Sequence, residues 1–145
     1  MFRHLLVPTD GSPRADAMVG RAMAFASRIG ARVTGLHVLP EYHVLTHRLT
    51  SLQDTQGNLA AEAARHADTV LAALSQAAAQ AGVPCEVITA TDDHPWQAII
   101  DCAQQRECDL IVMSSHGKRG LQALLIGSET HKVLTHSTIP VLVFR

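Results

Sequence analysis

The chain has 145 residues, 47% of them hydrophobic, with 12 Lys and Arg against 13 Asp and Glu. That length and apolar content support a packed core and speak against intrinsic disorder. A net charge of −1, with both signs mixed along the chain, lacks the concentrated basic patch of a nucleic-acid or anionic-membrane surface.

Arg3 to Val7 is a short apolar run ending in Pro8-Thr9-Asp10-Gly11-Ser12-Pro13, read as a first strand and a loop. Ser12 suits a helix N-cap and Pro13 the first turn. Ala15, Met18, Ala22, Ala26 and Ile29 recur at helical spacing, and Gly30 fits just past the end. Arg32 to Leu39 is the second strand, closed by Pro40. Residues 41–57 read as a polar, irregular connection holding His43, His47 and Gly57.

The alanine-rich stretch Asn58 to Ala81 predicts one long helix. Its apolar stripe is Leu59, Ala63, Ala67, Val70, Leu74, Ala77 and Ala81. Gly82-Val83-Pro84 stops it, and Cys85 to Thr91 is the third strand. Asp92 or Asp93 is the expected cap of the next helix, with Pro95 near its first turn and Trp96, Ile99, Ile100 and Ala103 on one face. Asp109 to Met113 is the fourth strand. Ser128 to about Thr135 is the last helix, with Glu129 at its positive end and Lys132 and His136 toward its negative end. Pro140 introduces the fifth strand, Val141 to Phe144.

Short apolar strands alternating with helices predict an α/β fold: a parallel sheet with helices on both faces, spanning residues 1–145 as one domain. Ligands of such folds bind at the carboxyl ends of strands where the strand order reverses. In the order 3-2-1-4-5, the ends of strands one and four flank that point. The stretch DLIVMSSHGKRGLQALLIGS, residues 109–128, leads from strand four through a glycine-bearing loop to a helix start. Glycines allow close backbone approach, and free N–H groups at a helix start face an anion. The phosphates of an adenine nucleotide are the expected ligand.

No apolar run approaches the roughly 18 residues of a membrane span. The apolar part of MFRHLLVPTD is too short for a signal peptide, so the expectation is a soluble, cytoplasmic protein. Cys85, Cys102 and Cys108, an odd count without a CxxC, read as reduced, partly buried thiols rather than a disulfide or zinc site.

The whole chain resembles the universal stress protein family. The resemblance rests on LLVPTDGS, GLHVLP, DLIVMSSHGKRGLQALLIGS and the ending VLTHSTIPVLVFR. It implies a five-stranded parallel sheet in the order 3-2-1-4-5, a cytoplasmic homodimer, and a stress-response role in which some members bind ATP. The binding branch carries a glycine, two residues, a second glycine, nine residues, then glycine followed by serine or threonine. Gly117 matches the second glycine, Lys118 to Ile126 are the nine, and Gly127-Ser128 follow. Ser114 stands where the first glycine would be. A negative φ there preserves the close approach; a positive one strains the serine by roughly 1–2 kcal/mol.

By this resemblance Pro8, Thr9 and Asp10 line the nucleoside end and Val38 flanks the adenine. Met113 and Ser114 sit by the ribose, and His116 and Gly117 by the phosphates. Gly127, Ser128 and Glu129 close the phosphate site through backbone N–H groups and the Ser128 hydroxyl. Lys118 or Arg119 supplies positive charge. The cofactor is ATP, AMP or ADP, with or without magnesium. Strand 139–144, an edge that a monomer exposes, pairs across the dimer.

Plainer readings stand beside these. Asp10 also suits a turn. His43 and His47, four apart, lack a third metal ligand in register. His116 is the histidine suited to a phosphate hydrogen bond. Ser114-Ser115-His116 lacks the G-x-S-x-G of a nucleophile elbow, so a hydrolase is the weakest reading. Trp96 reads as a core or dimer-edge aromatic. A dimeric interaction module without nucleotide is the main alternative.

Overall fold

In the computed structural model, residues 1–41, 55–116 and 126–145 are described here, with the side chains of 55–57 set aside. The strands are β1 (His4–Pro8), β2 (Arg32–Leu39), β3 (Cys85–Thr91), β4 (Leu110–Ser114) and β5 (Val141–Phe144). The helices are α1 (Pro13–Ile29), α2 (Thr55–Gln80), α3 (Pro95–Gln105) and α4 (Ser128–His136). All pairings are parallel, in the order β3-β2-β1-β4-β5. The expected order holds, and β1 and β4 are neighbours although three helices and two strands separate them in sequence.

Sequence chemistry accounts for most element ends. Ser12 Oγ accepts the Ala15 N–H at 3.2 Å, and Gly30 closes α1 in the left-handed region at φ 68°. Ile29, predicted on the apolar face, is 40% exposed: its turn is the last one, beyond the sheet's cover. Helix α2 begins at Thr55, so residues 55–57 are helical rather than part of an irregular connection. The expected caps of α3 are corrected too. His94 is the N-cap and makes no side-chain cap bond; Asp92 instead accepts the His94 N–H at 2.8 Å.

Alternation along the strands builds two cores. On one face Leu5, Val7, Val33, Leu110 and Val112 meet Met18, Ala22 and Met23 of α1 and Leu74 and Ala78 of α2. On the other face Leu6, Leu36, Ile111 and Met113 meet Ile99, Ile100 and Ala103 of α3 and Val133 of α4. Each fully buried leucine contributes about 2 kcal/mol by removal from water. The alanine stripe of α2 lets it lie close to β2. A Cβ on Gly35 would come within 2.5 Å of Leu74 Cδ2, so any larger residue there would force the Leu74 side chain to move.

At the amino end of the sheet, Asp109 ties β1 to β4. Its carboxylate accepts the Arg3 and His4 N–H groups at 2.8 and 3.0 Å. Burial works against its charge, but these amides outweigh it and hold its carboxyl below the usual range. Beside it, buried His4 bonds Thr34 Oγ1 through Nε2 at 2.7 Å, and that hydroxyl donates to Glu86 at 2.9 Å. Cys102 and Cys108 are buried and Cys85 half-buried; burial raises all three thiols, Cys108 to about 12. Inert, protonated thiols are the expected form at neutral pH.

Candidate functional site

The predicted site residues gather at the carboxyl ends of β1 and β4, but on two faces of the sheet. Val38 packs against the core that holds Met113, on the side of α3 and α4. Pro8 follows Leu6 by two positions and shares that face. Pro8, Val38 and Met113 come from three adjacent strands and form one apolar surface. Trp96 and Ala90 border it, Trp96 half-buried with its ring 4.6 Å from that of His136. An aromatic base fits such a surface by shape and by loss of water contact.

The turn after β1 is held from several sides. The Thr9 N–H donates to Leu36 O at 2.8 Å, and Thr9 is buried. Thr9 Oγ1 accepts the Gly11 N–H at 3.2 Å, and Asp10 Oδ1 accepts the Ser12 N–H at 2.9 Å. The turn reading of Asp10 is therefore realised. Gly11 has φ 75°, and an added Cβ would collide with Val70 Cγ2 of α2. His37, which sequence reasoning passed over, is buried and donates from Nδ1 to Thr9 O at 2.9 Å. Its ring meets that of His66 edge to face, with centroids 5.6 Å apart. Period-two alternation in GLHVLP was the available signal: it sends His37 to the opposite face from Leu36 and Val38.

Ser114 is the last residue of β4, and its φ is not positive; among the described residues only Glu107 is non-glycine with φ above zero. Serine is thus unstrained at that position. Its hydroxyl donates to His116 O at 2.8 Å and lies within 3.3 Å of the His116 N–H. By alternation Ser114 faces α1, away from the Val38 and Met113 surface. His116 is 8% exposed, with Nδ1 3.0 Å from Ser115 Oγ and Nε2 buried without a hydrogen-bond partner. Gly117, Lys118 and Arg119 lie outside the described residues, as do His43 and His47. Among the described residues no cluster of three or more His, Cys, Asp or Glu is arranged to hold a metal ion.

The start of α4 is open. Its N-cap, Gly127, offers no side-chain cap bond. The first intrahelical bond runs from His131 N–H to Gly127 O at 2.9 Å, so the N–H groups of Ser128, Glu129 and Thr130 have no carbonyl of their own helix. Gly127's N–H differs from the expectation: it donates to Ser115 O at 2.6 Å and ties α4 to the end of β4. Thr130 Oγ1 adds a second tie, to Ser114 O at 2.9 Å. The Glu129 carboxylate is directed away from the open helix start. It accepts the Trp96 N–H at 2.9 Å and takes Lys132 Nζ at 3.3 Å. It thereby caps α3, which has no cap of its own, and its negative charge is compensated there. The backbone N–H of Glu129 remains for an anion.

A cavity of about 380 Å³ lies on the α1 side of the end of β4, lined by Arg14, Met18, Arg21, Ser115, His116 and Phe144 among others. No described helix is long and apolar enough to cross a membrane.

The universal stress protein family profile matches residues 1–145. The chain is 32% identical over 149 residues to universal stress protein YxiE of Bacillus subtilis, covering all of both chains. It is 26% identical to universal stress protein MJ0577 of Methanocaldococcus jannaschii, across all of this chain and 96% of that one. Among solved structures, the hypothetical protein MJ0577 superposes with a TM-score of 0.82 at 27% identity, over 99% of this chain and 95% of that one. UspA from Lactobacillus plantarum gives 0.79 at 26% identity, over 99% and 98%. Two more distant structures share the fold, at 21% and 19% identity: a universal stress protein in complex with cAMP and that of Archaeoglobus fulgidus in complex with dAMP. The profile, the full-length relatives and the strand order agree: the chain belongs to the universal stress protein family.

Proposed function

We propose that the protein binds an adenine nucleotide, ATP in the first instance, at the carboxyl ends of β1 and β4, and serves as a stress-response signalling module rather than an enzyme. The observation that carries this reading is the uncapped start of α4 beside the apolar surface of Pro8, Val38 and Met113. The helix start offers unpaired N–H groups and the positive end of a dipole, which suit phosphates. The apolar surface suits the base. Relatives of the same fold in complex with cAMP and dAMP support the same ligand class.

In this reading Pro8, Val38 and Met113 hold the adenine, and Thr9 and Asp10 the nucleoside's polar edge. The N–H groups of Ser128 and Glu129, the Ser128 hydroxyl and Gly117 hold the phosphates, with magnesium screening their charge. The protein acts in the cytoplasm as a homodimer paired through β5, a half-buried edge strand. Nucleotide occupancy shifts the dimer surface toward or away from a protein partner.

One observation favours a second reading, a dimeric interaction module without nucleotide. The Ser114 hydroxyl and the Gly127 N–H already have protein partners. A melting experiment with ATP and magnesium separates the two. At a hundredfold excess over Kd, binding stabilises by about 2.7 kcal/mol. At about 0.3 kcal/mol/K of unfolding entropy for this length, that is a rise of about 9 °C. An unchanged melting point at millimolar ATP supports the second reading.

A further inference from the structure

Two histidines from other elements bracket the turn after β1. Thr9 lies one position past β1. Its N–H donates to Leu36 O at 2.8 Å, as a strand residue would, but its carbonyl takes a side chain: His37 of β2 donates to it from Nδ1 at 2.9 Å. A carbonyl oxygen only accepts, so the bond places a ring proton on Nδ1. His37 is 6% exposed, so water competes little for that bond.

The other end of the turn meets His66 of α2. A Cβ at Gly11 would stand 3.4 Å from His66 Cε1 and Nε2, so that ring lies against the open side of Gly11. The same ring meets the His37 ring edge to face, with their planes at 76°. The contacts thus run from Thr9 through His37 and His66 to Gly11. Asp10 is the residue between the two held positions, and its Oδ1 accepts the Ser12 N–H within the turn.

A loop that samples several shapes binds more weakly than one already held in the shape its ligand meets. A leucine at position 37 would fill similar space but supply no donor to the Thr9 carbonyl. Alternation along β2 turns His37 away from Val38, so His37 acts on that surface through the Thr9–Asp10 peptide. The peptide is planar, so holding its carbonyl also fixes the direction of the Asp10 N–H.

We infer that His37 is a positioning residue for nucleotide binding: its Nδ1–H sets the Thr9–Asp10 peptide at the nucleoside end, and His66 braces the ring from α2. This inference rests on the nucleotide reading, in which Thr9 and Asp10 meet the nucleoside.

The test is calorimetric titration of the full chain with ATP and magnesium, for the wild type, His37→Asn, His37→Gln and His66→Ala, each with its melting temperature. An asparagine amide nitrogen lies near the place of Nδ1 and a glutamine amide nitrogen near that of Nε2, so asparagine alone keeps the donor toward Thr9 O. Asparagine also leaves a gap where the rest of the buried ring was, and His37→Asn should melt lower than the wild type. It should nevertheless bind ATP within about twofold of the wild type, while His37→Gln binds about three- to tenfold more weakly, the worth of one hydrogen bond. His66 is exposed, so His66→Ala should change the melting temperature little and weaken ATP about two- to threefold; it carries the test where a change at buried His37 disturbs folding. A wild type that does not bind ATP overturns the nucleotide reading and this inference with it. Where the wild type binds, full affinity in His37→Gln or His66→Ala, or affinities that only follow melting temperature across the three variants, overturn this inference and leave the nucleotide reading standing.

Discussion

Gly11→Ala is a sharp test of how the turn after β1 is built, because two separate penalties act at one Cβ. The first is conformational: φ 75° is the left-handed region, where a non-glycine residue costs about 1–2 kcal/mol. The second is steric: the new Cβ would run into Val70 Cγ2 and come within 3.4 Å of the His66 ring. Both neighbours belong to α2, and Val70 is buried, so relief requires that the Val70 side chain or the helix itself shift. Overpacking of that kind costs about 1–3 kcal/mol. The sum is about 2–5 kcal/mol, or roughly 7–16 °C of melting temperature at about 0.3 kcal/mol/K. Gly30→Ala isolates the first penalty, since Gly30 has φ 68° and nothing within 4 Å of its added Cβ. It should lose about 3–7 °C. The assay is thermal and urea unfolding of both variants, together with the double variant Gly11→Ala, Val70→Ala. The double variant should show a favourable coupling of about 1–3 kcal/mol. Equal losses for Gly11→Ala and Gly30→Ala, or no coupling to Val70, would refute the close seating of α2 on this turn.

Three further outcomes are expected. Glu129→Ala removes the carboxylate that accepts the Trp96 N–H and should cost about 0.5–2 kcal/mol, with the loss concentrated in amide exchange at the start of α3; uniform or absent loss contradicts the cap. Burial, then the charge of Arg32, hold His4 below 6.5, against smaller opposing effects of Glu86 and Asp109. The unfolded chain therefore takes up a proton that the folded one resists, and stability present above pH 6.5 is lost as pH falls toward the folded value. Melting from about pH 7 to about pH 5.5 should drop more steeply for the wild type than for His4→Gln; parallel profiles contradict this. Val38→Asp sets a carboxylate against the proposed adenine surface and should weaken ATP by more than tenfold in calorimetric titration, without loss of fold; unchanged affinity moves the base elsewhere.

Local chemistry made much of this fold legible. Ser12, Pro13 and Gly30 bracket α1, Gly82 stops α2, and the apolar runs placed all five strands to within a residue or so. What escaped was set by residues far apart in sequence. Asp92 and Asp93 carry the right side chains for a cap of α3. The carboxylate at that helix start comes instead from Glu129, 33 positions from Trp96. Asp109 reads as the first residue of a strand; its role as a clamp on Arg3 and His4 appears only once β1 and β4 are adjacent. His37 and His66 come together because α2 lies against β2 at Gly35, a contact no local pattern specifies.

The candidate site was legible as a place and less so as an arrangement. The glycine spacing and the polar turn after β1 pointed to the carboxyl ends of β1 and β4 as the candidate site. The division of its residues between two faces follows from counting strand positions, which turns Met113 toward α3 and Ser114 toward α1. The Glu129 carboxylate is engaged by the Trp96 N–H and Lys132, partners that only the folded chain supplies. The use of Gly127's N–H on Ser115 O depends on how α4 docks beside β4.

The most direct measurement is a crystal structure grown with excess ATP and magnesium. The account predicts adenine density against Pro8, Val38 and Met113, with phosphate oxygens on the N–H groups of Ser128 and Glu129. Nucleotide in the α1-side cavity instead, or a crevice empty at saturating ATP, contradicts it.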